Sequence, residues 1–229
     1  MTLPLSVLDL APVGTGSSSS QALQNTLDLA RLVDGLGYTR YWLAEHHNIP
    51  SVASSAPEII IGHVAAVTTR LRVGSGGIML PNHAPLKIAE TFRVLEALHP
   101  GRIDLGIGRA PGTDRLTALA LRRSTDALIA DDFPEQLAEL FAFTDGGFPT
   151  DHPFRSIAAM PNDVPLPPVW LLGSSDYSAR LAASLGLGFA FAHHINPGAA
   201  IPPMRLYRDA FTPSAALDRP AAIPAVSAI

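Results

Sequence analysis

Four short aliphatic runs recur along the first half of the chain. They are LSVLDLA from Leu5, RYWLAEH from Arg40, RVGSGGIML from Arg72 and RIDLGIG from Arg102, with starts 30 to 35 residues apart. Each is apolar on both faces and is followed by Gly, Pro, Ser or Asn. Runs of this kind read as parallel strands covered on both sides. Helical patterns lie between them. One begins near Ser19 or Ser20, places Leu23, Leu27, Ala30 and Val33 on one face, and ends at Gly35 or Gly37. A second opens with Pro57 and Glu58 and runs to about Thr69. A third covers Leu86 to Leu98 and stops at HPGR. A strand–helix repeat of ~30 residues is a βαβ series, either an open doubly wound sheet or a barrel.

The series continues less evenly. Helical sequence from about Asp114 to Phe143 leads into residues 144–168, rich in Pro, Gly and Asp and expected to form an irregular insertion. VWLLGSS from Val169 and GFAFAHHI from Gly188 read as a fifth and a sixth strand, and AAIPAVSAI from Ala221 begins a seventh. A complete eight-unit barrel takes ~250 residues. The expectation is therefore an α/β fold of (β/α)8 TIM-barrel type, one domain over residues 1–229, that stops after its seventh strand. Hydrophobic residues at 47% against 16% charged suit such a doubly covered sheet.

Several partners are disfavoured. The net charge is −4 and no basic cluster exceeds Arg122-Arg123, which argues against nucleic acid. The chain has no cysteine, so disulfides, thiolate metal sites and a cysteine nucleophile are excluded. No apolar run reaches the ~18 residues of a membrane span. The start, MTLPLSVLDLAPVG, carries no basic segment or signal-peptide core. A cytoplasmic protein with no membrane partner is expected.

Polar residues collect after the carboxyl ends of the runs. The second ends in Glu45, His46, His47 and Asn48. The third carries Ser75, Gly76 and Gly77, then Pro81, Asn82 and His83. The fourth ends in Gly108, Arg109 and Ala110, the fifth in Gly173, Ser174 and Ser175, and the sixth in His193, His194 and Asn196. The opposite ends carry plain connectors. Sites in α/β folds form at the carboxyl ends of strands, so chemistry belongs on this rim. A single histidine there is more often structural than catalytic. The paired histidines also suggest zinc or iron, but no matched acidic ligand follows the first, fourth or fifth run apart from Asp9, which looks buried. No metal site is expected. GIGRAPG is a poor dinucleotide fingerprint, because its third glycine comes one residue late and it ends the fourth strand. Arg109 is more informative: a permanent bidentate cation among small residues suits a phosphate. GSSDYSAR adds hydroxyls and N–H groups at a helix start, a ready anion site. Gly76 and Gly77 inside a strand suggest close approach of something flat, or a tight bend.

Three stretches, YWLAEHHNIPSVASSAPEI, RVGSGGIMLPNHAPLKIAETFRVLEALHPGRIDLGIGRAPG and PVWLLGSSDYSARLAASLGLGFAFAHH, together resemble the bacterial-luciferase-like family of flavin-dependent monooxygenases. The resemblance covers nearly the whole chain. It implies a (β/α)8 barrel and an FMN-dependent oxygenation of a small organic substrate, an aldehyde or other carbonyl compound, by O2. Reduced FMN would come from a separate flavin reductase, since no nicotinamide fingerprint is present. By the same resemblance His46 is the active-site histidine, Arg109 binds the flavin phosphate, and Ser174, Ser175 and Ser178 belong to the phosphate-binding segment. Ser75 and Gly76 fall where the family carries a non-proline cis peptide under the flavin ring, and Gly77 adjoins it. A homodimer is implied as well. Two alternatives stand beside this reading: a non-catalytic flavin-binding relative, and a deazaflavin-dependent oxidoreductase of the same superfamily. A metal-dependent barrel hydrolase is a more distant one.

Overall fold

The computed structural model describes residues 3–227. Eight strand segments form one sheet: β1 Ser6–Asp9, β2 Arg40–Leu43, β3 Arg72–Ser75, β4 Ile78–Met79, β5 Ile103–Gly108, β6 Val169–Gly173, β7 Gly188–Phe191 and β8 Ala222–Pro224. All pair in parallel, in the order β1-β2-β3-β5-β6-β7-β8. β3 and β4 share one place in this order. β3 pairs with the start of β5 and β4 with its end, so seven strand positions are occupied. The helices are α1 Ser19–Gly35, α2 Pro57–Val67, α3 Pro85–Leu98, α4 Arg115–Arg122, α5 Thr125–Ile129, α6 Phe133–Asp145, α7 Asp176–Leu185 and α8 Ile201–Ala210. The architecture is a TIM-type α/β barrel that ends at its seventh strand position, open between β1 and β8 among the described residues. The last two residues of the run read as the seventh strand, 228 and 229, lie outside them.

Strand alternation divides the side chains into two layers. Tyr41, Leu43, Val73, Ile103, Leu105 and Phe189 face outward and pack beneath helices, in a large cluster that includes Val33, Ile61, Phe92 and Leu137. The alternate positions face the barrel interior. There Trp42, Trp170 and Ala190 meet Leu8, Leu172 and Ile223. The two indoles pack edge to face at 5.5 Å between centroids. Below them, fully buried Asp104 accepts hydrogen bonds from Arg40 Nε at 3.0 Å, Arg72 Nε at 2.8 Å and Trp42 Nε1 at 3.1 Å. These arginines open β2 and β3, so this charged layer closes the amino-terminal end. Sequence reading had passed over it; the signal was an aspartate inside the apolar run RIDLGIG.

The structure refines the sequence expectation at three elements. The third run is not one strand: a cis peptide bond joins Gly76 to Gly77 and separates β3 from β4. The helical stretch from Asp114 to Phe143 divides into three helices. Arg123 ends α4 in a left-handed conformation, and Ser124 caps α5 by accepting from Ala127 N–H. Pro134 then stands in the first turn of α6, where a proline is tolerated. The sixth run pairs only as far as Phe191, and His193 and His194 lie in the turn beyond. Residues 146–168 carry no helix or strand, while 144 and 145 finish α6. Arg93 of α3 anchors that segment by donating to the Thr144 and Ala159 carbonyls at 2.9 and 2.6 Å.

Candidate functional site

The alternation that sorts the two cores also separates Glu45, His46 and His47. Ala44 N–H still bonds Asp9 carbonyl, so the β2 register continues past Leu43. His46 falls in phase with Trp42, toward the barrel mouth. Glu45 and His47 fall on the opposite side. Glu45 is fully buried. Its Oε1 lies 2.7 Å from His47 Nε2 and 2.9 Å from His83 Nε2, and its Oε2 accepts from Met79 N–H at 2.8 Å. The carboxylate and His47 are thus joined to the segment after β4, away from the mouth. Both imidazoles turn the same nitrogen onto one carboxylate oxygen, and no three His, Asp or Glu side chains converge as a metal site among the described residues.

His46 is left facing the mouth. Its Nδ1 is buried with no hydrogen-bond partner. Burial pushes its imidazole below the usual histidine value, the charge of Glu45 opposes this, and His47 and His194 add to the lowering. Burial thus favours the neutral ring.

The glycines of the third strand position let neighbouring strands approach closely. A Cβ on Gly76 would lie 2.5 Å from Leu8 Cδ1 and 3.1 Å from Trp42 Cβ. One on Gly77 would lie 2.8 Å from Gly106 carbonyl oxygen. The cis bond sits between these two glycines, one residue later than the Ser75–Gly76 link that the sequence resemblance implied. Ser75 is buried, and its hydroxyl donates to Gly106 carbonyl at 2.8 Å and accepts Gly106 N–H at 3.0 Å. That hydroxyl stitches β3 to β5 and is not free for a ligand.

Across the mouth, Arg109 follows β5. Its side chain is 47% exposed and lies 3.6 Å from the exposed Asp131 carboxylate, a weak pairing at such exposure. Its guanidinium stacks over the Tyr177 ring at 4.2 Å from the centroid. Tyr177 lies in the first turn of α7, so Arg109 packs against the start of that helix. Ser175 is the N-cap of α7 but its side chain caps no N–H, so the first turn keeps donors for another acceptor. Ser174 carbonyl accepts from Asn196 Nδ2 at 3.1 Å, which fixes the turn. Ser178 is buried against Gly173, where a Cβ would fall on its side chain. Ser178 supports the turn from beneath, whereas Ser174 and Ser175 stand at its surface. Sequence reading missed Tyr177, although it lies inside the quoted GSSDYSAR.

The rim thus gathers His46, the Gly76–Gly77 bend, Arg109 and the start of α7. A luciferase-like monooxygenase family model matches residues 3–228. The chain belongs to that family. A luciferase-like monooxygenase of Escherichia coli strain K12 is 52% identical over 228 residues, which is 100% of this chain and 67% of the relative. The crystal structure of apo-MsnO8 superposes with a TM-score of 0.87 at 44% identity, over 96% of this chain and 64% of that one. The oxygenating constituent of 3,6-diketocamphane monooxygenase from Pseudomonas putida, solved in complex with FMN, gives a TM-score of 0.74 over 97% of this chain and 66% of that one. At 20% identity this last likeness speaks for the fold alone. The chain spans about two thirds of the length of these relatives.

Proposed function

We propose that this chain carries the flavin-binding half of an FMN-dependent monooxygenase site. The observation that carries the proposal is the meeting of Arg109 with the uncapped start of α7, across the mouth from an unpartnered His46 Nδ1. A terminal phosphate suits the first place: a guanidinium supplies charge-assisted donors and the helix start supplies N–H groups with favourable dipole. A planar ring suits the stretch between, because Gly76 and Gly77 place no side chain over it. Reduced FMN, when bound, supplies the electrons that activate O2. The protein's own contributions are Arg109, Ser174 and Ser175 at the phosphate, the Gly76–Gly77 backbone under the ring, and His46 as proton acceptor and donor at the reacting edge. The interior indoles and Leu8 form an apolar floor beneath the mouth. The substrate is a small organic molecule, with a flavin reductase as the source of reduced cofactor.

Titration of the protein with FMN and with riboflavin, followed by flavin fluorescence, tests this reading. Arg109→Ala removes a charge-assisted partner of ~1.5–3 kcal/mol, so FMN affinity should fall roughly ten- to a hundredfold. Riboflavin affinity should stay the same. Equal losses for both ligands would mean that Arg109 does not read a phosphate.

A further inference from the structure

Glu45 is not in the mouth, yet it joins the segments after β2, β4 and β5 that build one side of it. Its own segment carries His46. Met79, whose N–H it accepts, lies two residues beyond Gly77. His83, on its other oxygen, closes the turn that follows. The loop after β5 docks on the same place: His47 N–H bonds Gly112 carbonyl at 3.3 Å, and Thr113 Oγ1 donates to His47 carbonyl at 2.8 Å. A Cβ on Gly112 would lie 2.9 Å from Glu45 carbonyl oxygen, so that loop packs directly on Glu45. Asn82 Nδ2 closes the ring of contacts by donating to Pro111 carbonyl at 2.9 Å. A buried, three-donor carboxylate is costly to leave half-satisfied, so the segments it joins move together or not at all.

We propose that Glu45 is the positioning residue of the site: through Met79 and His83 it fixes the Gly76–Gly77 ring seat relative to His46. This rests on the flavin reading above. It also goes beyond it, because it assigns the spacing of ring and imidazole to a carboxylate that touches neither. The seat is a bend without side chains: Gly76 N–H ties its near end to Leu43 carbonyl of β2 at 2.8 Å, and the end beyond Gly77 needs a second tie. Glu45 supplies that constraint from behind.

Binding to the folded protein separates positioning from plain stability. Glu45→Gln keeps the size and one acceptor oxygen but must turn an NH2 toward one of three donors. His83→Gln loosens the other end of the tie and guards against a Glu45 variant that fails to fold. With either variant, at a temperature where circular dichroism shows full folding, FMN and riboflavin affinities should fall together by about tenfold. Arg109→Ala, by contrast, should weaken FMN alone. Glu45→Asp should recover part of the loss. Backbone amide signals of Gly76 and Gly77, read by NMR without any flavin, should shift in both variants. A lower melting temperature with unchanged flavin affinities and unshifted glycine amides would overturn the proposal. If the parent chain binds neither flavin, the flavin reading fails. The glycine amides then decide the positioning claim by themselves: a shift in both variants upholds it, and its absence sinks it.

Discussion

His46 and Glu45 are neighbours in sequence, and the different tasks proposed for them can be separated experimentally. His46→Ala leaves Arg109 and the α7 start intact, so FMN binding should survive. Oxygenation with reduced FMN should be mostly lost, with hydrogen peroxide released instead, because no imidazole stands at the reacting edge. Normal turnover of His46→Ala beside a dead His47→Ala would reverse the assignment. Glu45 and His83 should govern stability through pH. Burial opposes the Glu45 charge, but hydrogen bonds from His83 and His47, the His83 charge and Met79 N–H together hold its carboxyl below the usual value of 4.5. Burial likewise opposes a charged His83, but the bond to Glu45, the Glu45 charge and the charge of Glu58 raise its imidazole above the usual 6.5. The Glu45 contribution is complete above 4.5 and is lost as pH falls through the lowered folded value. The His83 contribution is complete below 6.5 and is lost as pH rises through the raised one. The melting-temperature gap between the parent and Glu45→Gln should therefore be widest between pH 4.5 and 6.5. A gap that does not vary from pH 4 to 9 would show that the tie is not ionic. None of this pairing was legible in the sequence, because His83 lies 38 residues from Glu45 and only the fold brings them together.

The elements were far more legible than their contacts. Capping serine, proline at the first turn and glycine past the end each act within a few residues, so α1, α2 and α3 could be bounded from sequence alone. Arg109 and the GSSDYSAR turn could be singled out because charge and hydroxyls follow apolar runs directly. Gly76 and Gly77 flagged a bend in the third strand, but the neighbours that crowd it, Leu8, Trp42 and Gly106 from other strands, could not be read. Nor could the means by which α1 holds β3. Asp34, near the end of α1, accepts N–H bonds from Thr69, Arg70 and Leu71 at 3.0, 2.9 and 2.9 Å, immediately before β3. Three backbone donors at the entry of the strand that leads to the proposed ring seat depend on one carboxylate. Asp34→Ala should lower unfolding free energy by about 1.5–3 kcal/mol, measured by urea denaturation. The loss should be largest at neutral pH. Hydrogen bonding to those N–H groups holds the Asp34 carboxyl below its usual value against the opposing effect of burial, so the contribution fades as pH falls through it. Stability unchanged within 0.5 kcal/mol, about the limit for an unimportant surface site, would show that water replaces the carboxylate at no cost.

At the scale of the whole molecule, the sheet is the exposed feature. β1 pairs only with β2 and β8 only with β7 among the described residues, so each offers an unpaired backbone edge. Apolar side chains stand beside them: Leu3 is 81% exposed, Leu5 51% and Val226 65%. The interior cluster of Trp42, Trp170 and Ala190 lies directly behind this opening, so anything that pairs the edges also covers the floor of the proposed site. Open edges template further pairing. The 229-residue chain should therefore self-associate in sizing chromatography, and more so as concentration rises. A chimera that continues this chain with the carboxy-terminal third of a relative offers β1 and β8 partners within one molecule. It should be less associated, melt at a higher temperature and bind FMN more tightly, and the three changes should appear together, since one closure produces them all. Tighter FMN binding without a change in association would place the added contacts on the cofactor rather than on the edges. A monomeric, cooperatively unfolding 229-residue chain, unaffected by the extension, would mean that the two edges are satisfied in solution by some pairing within the chain itself.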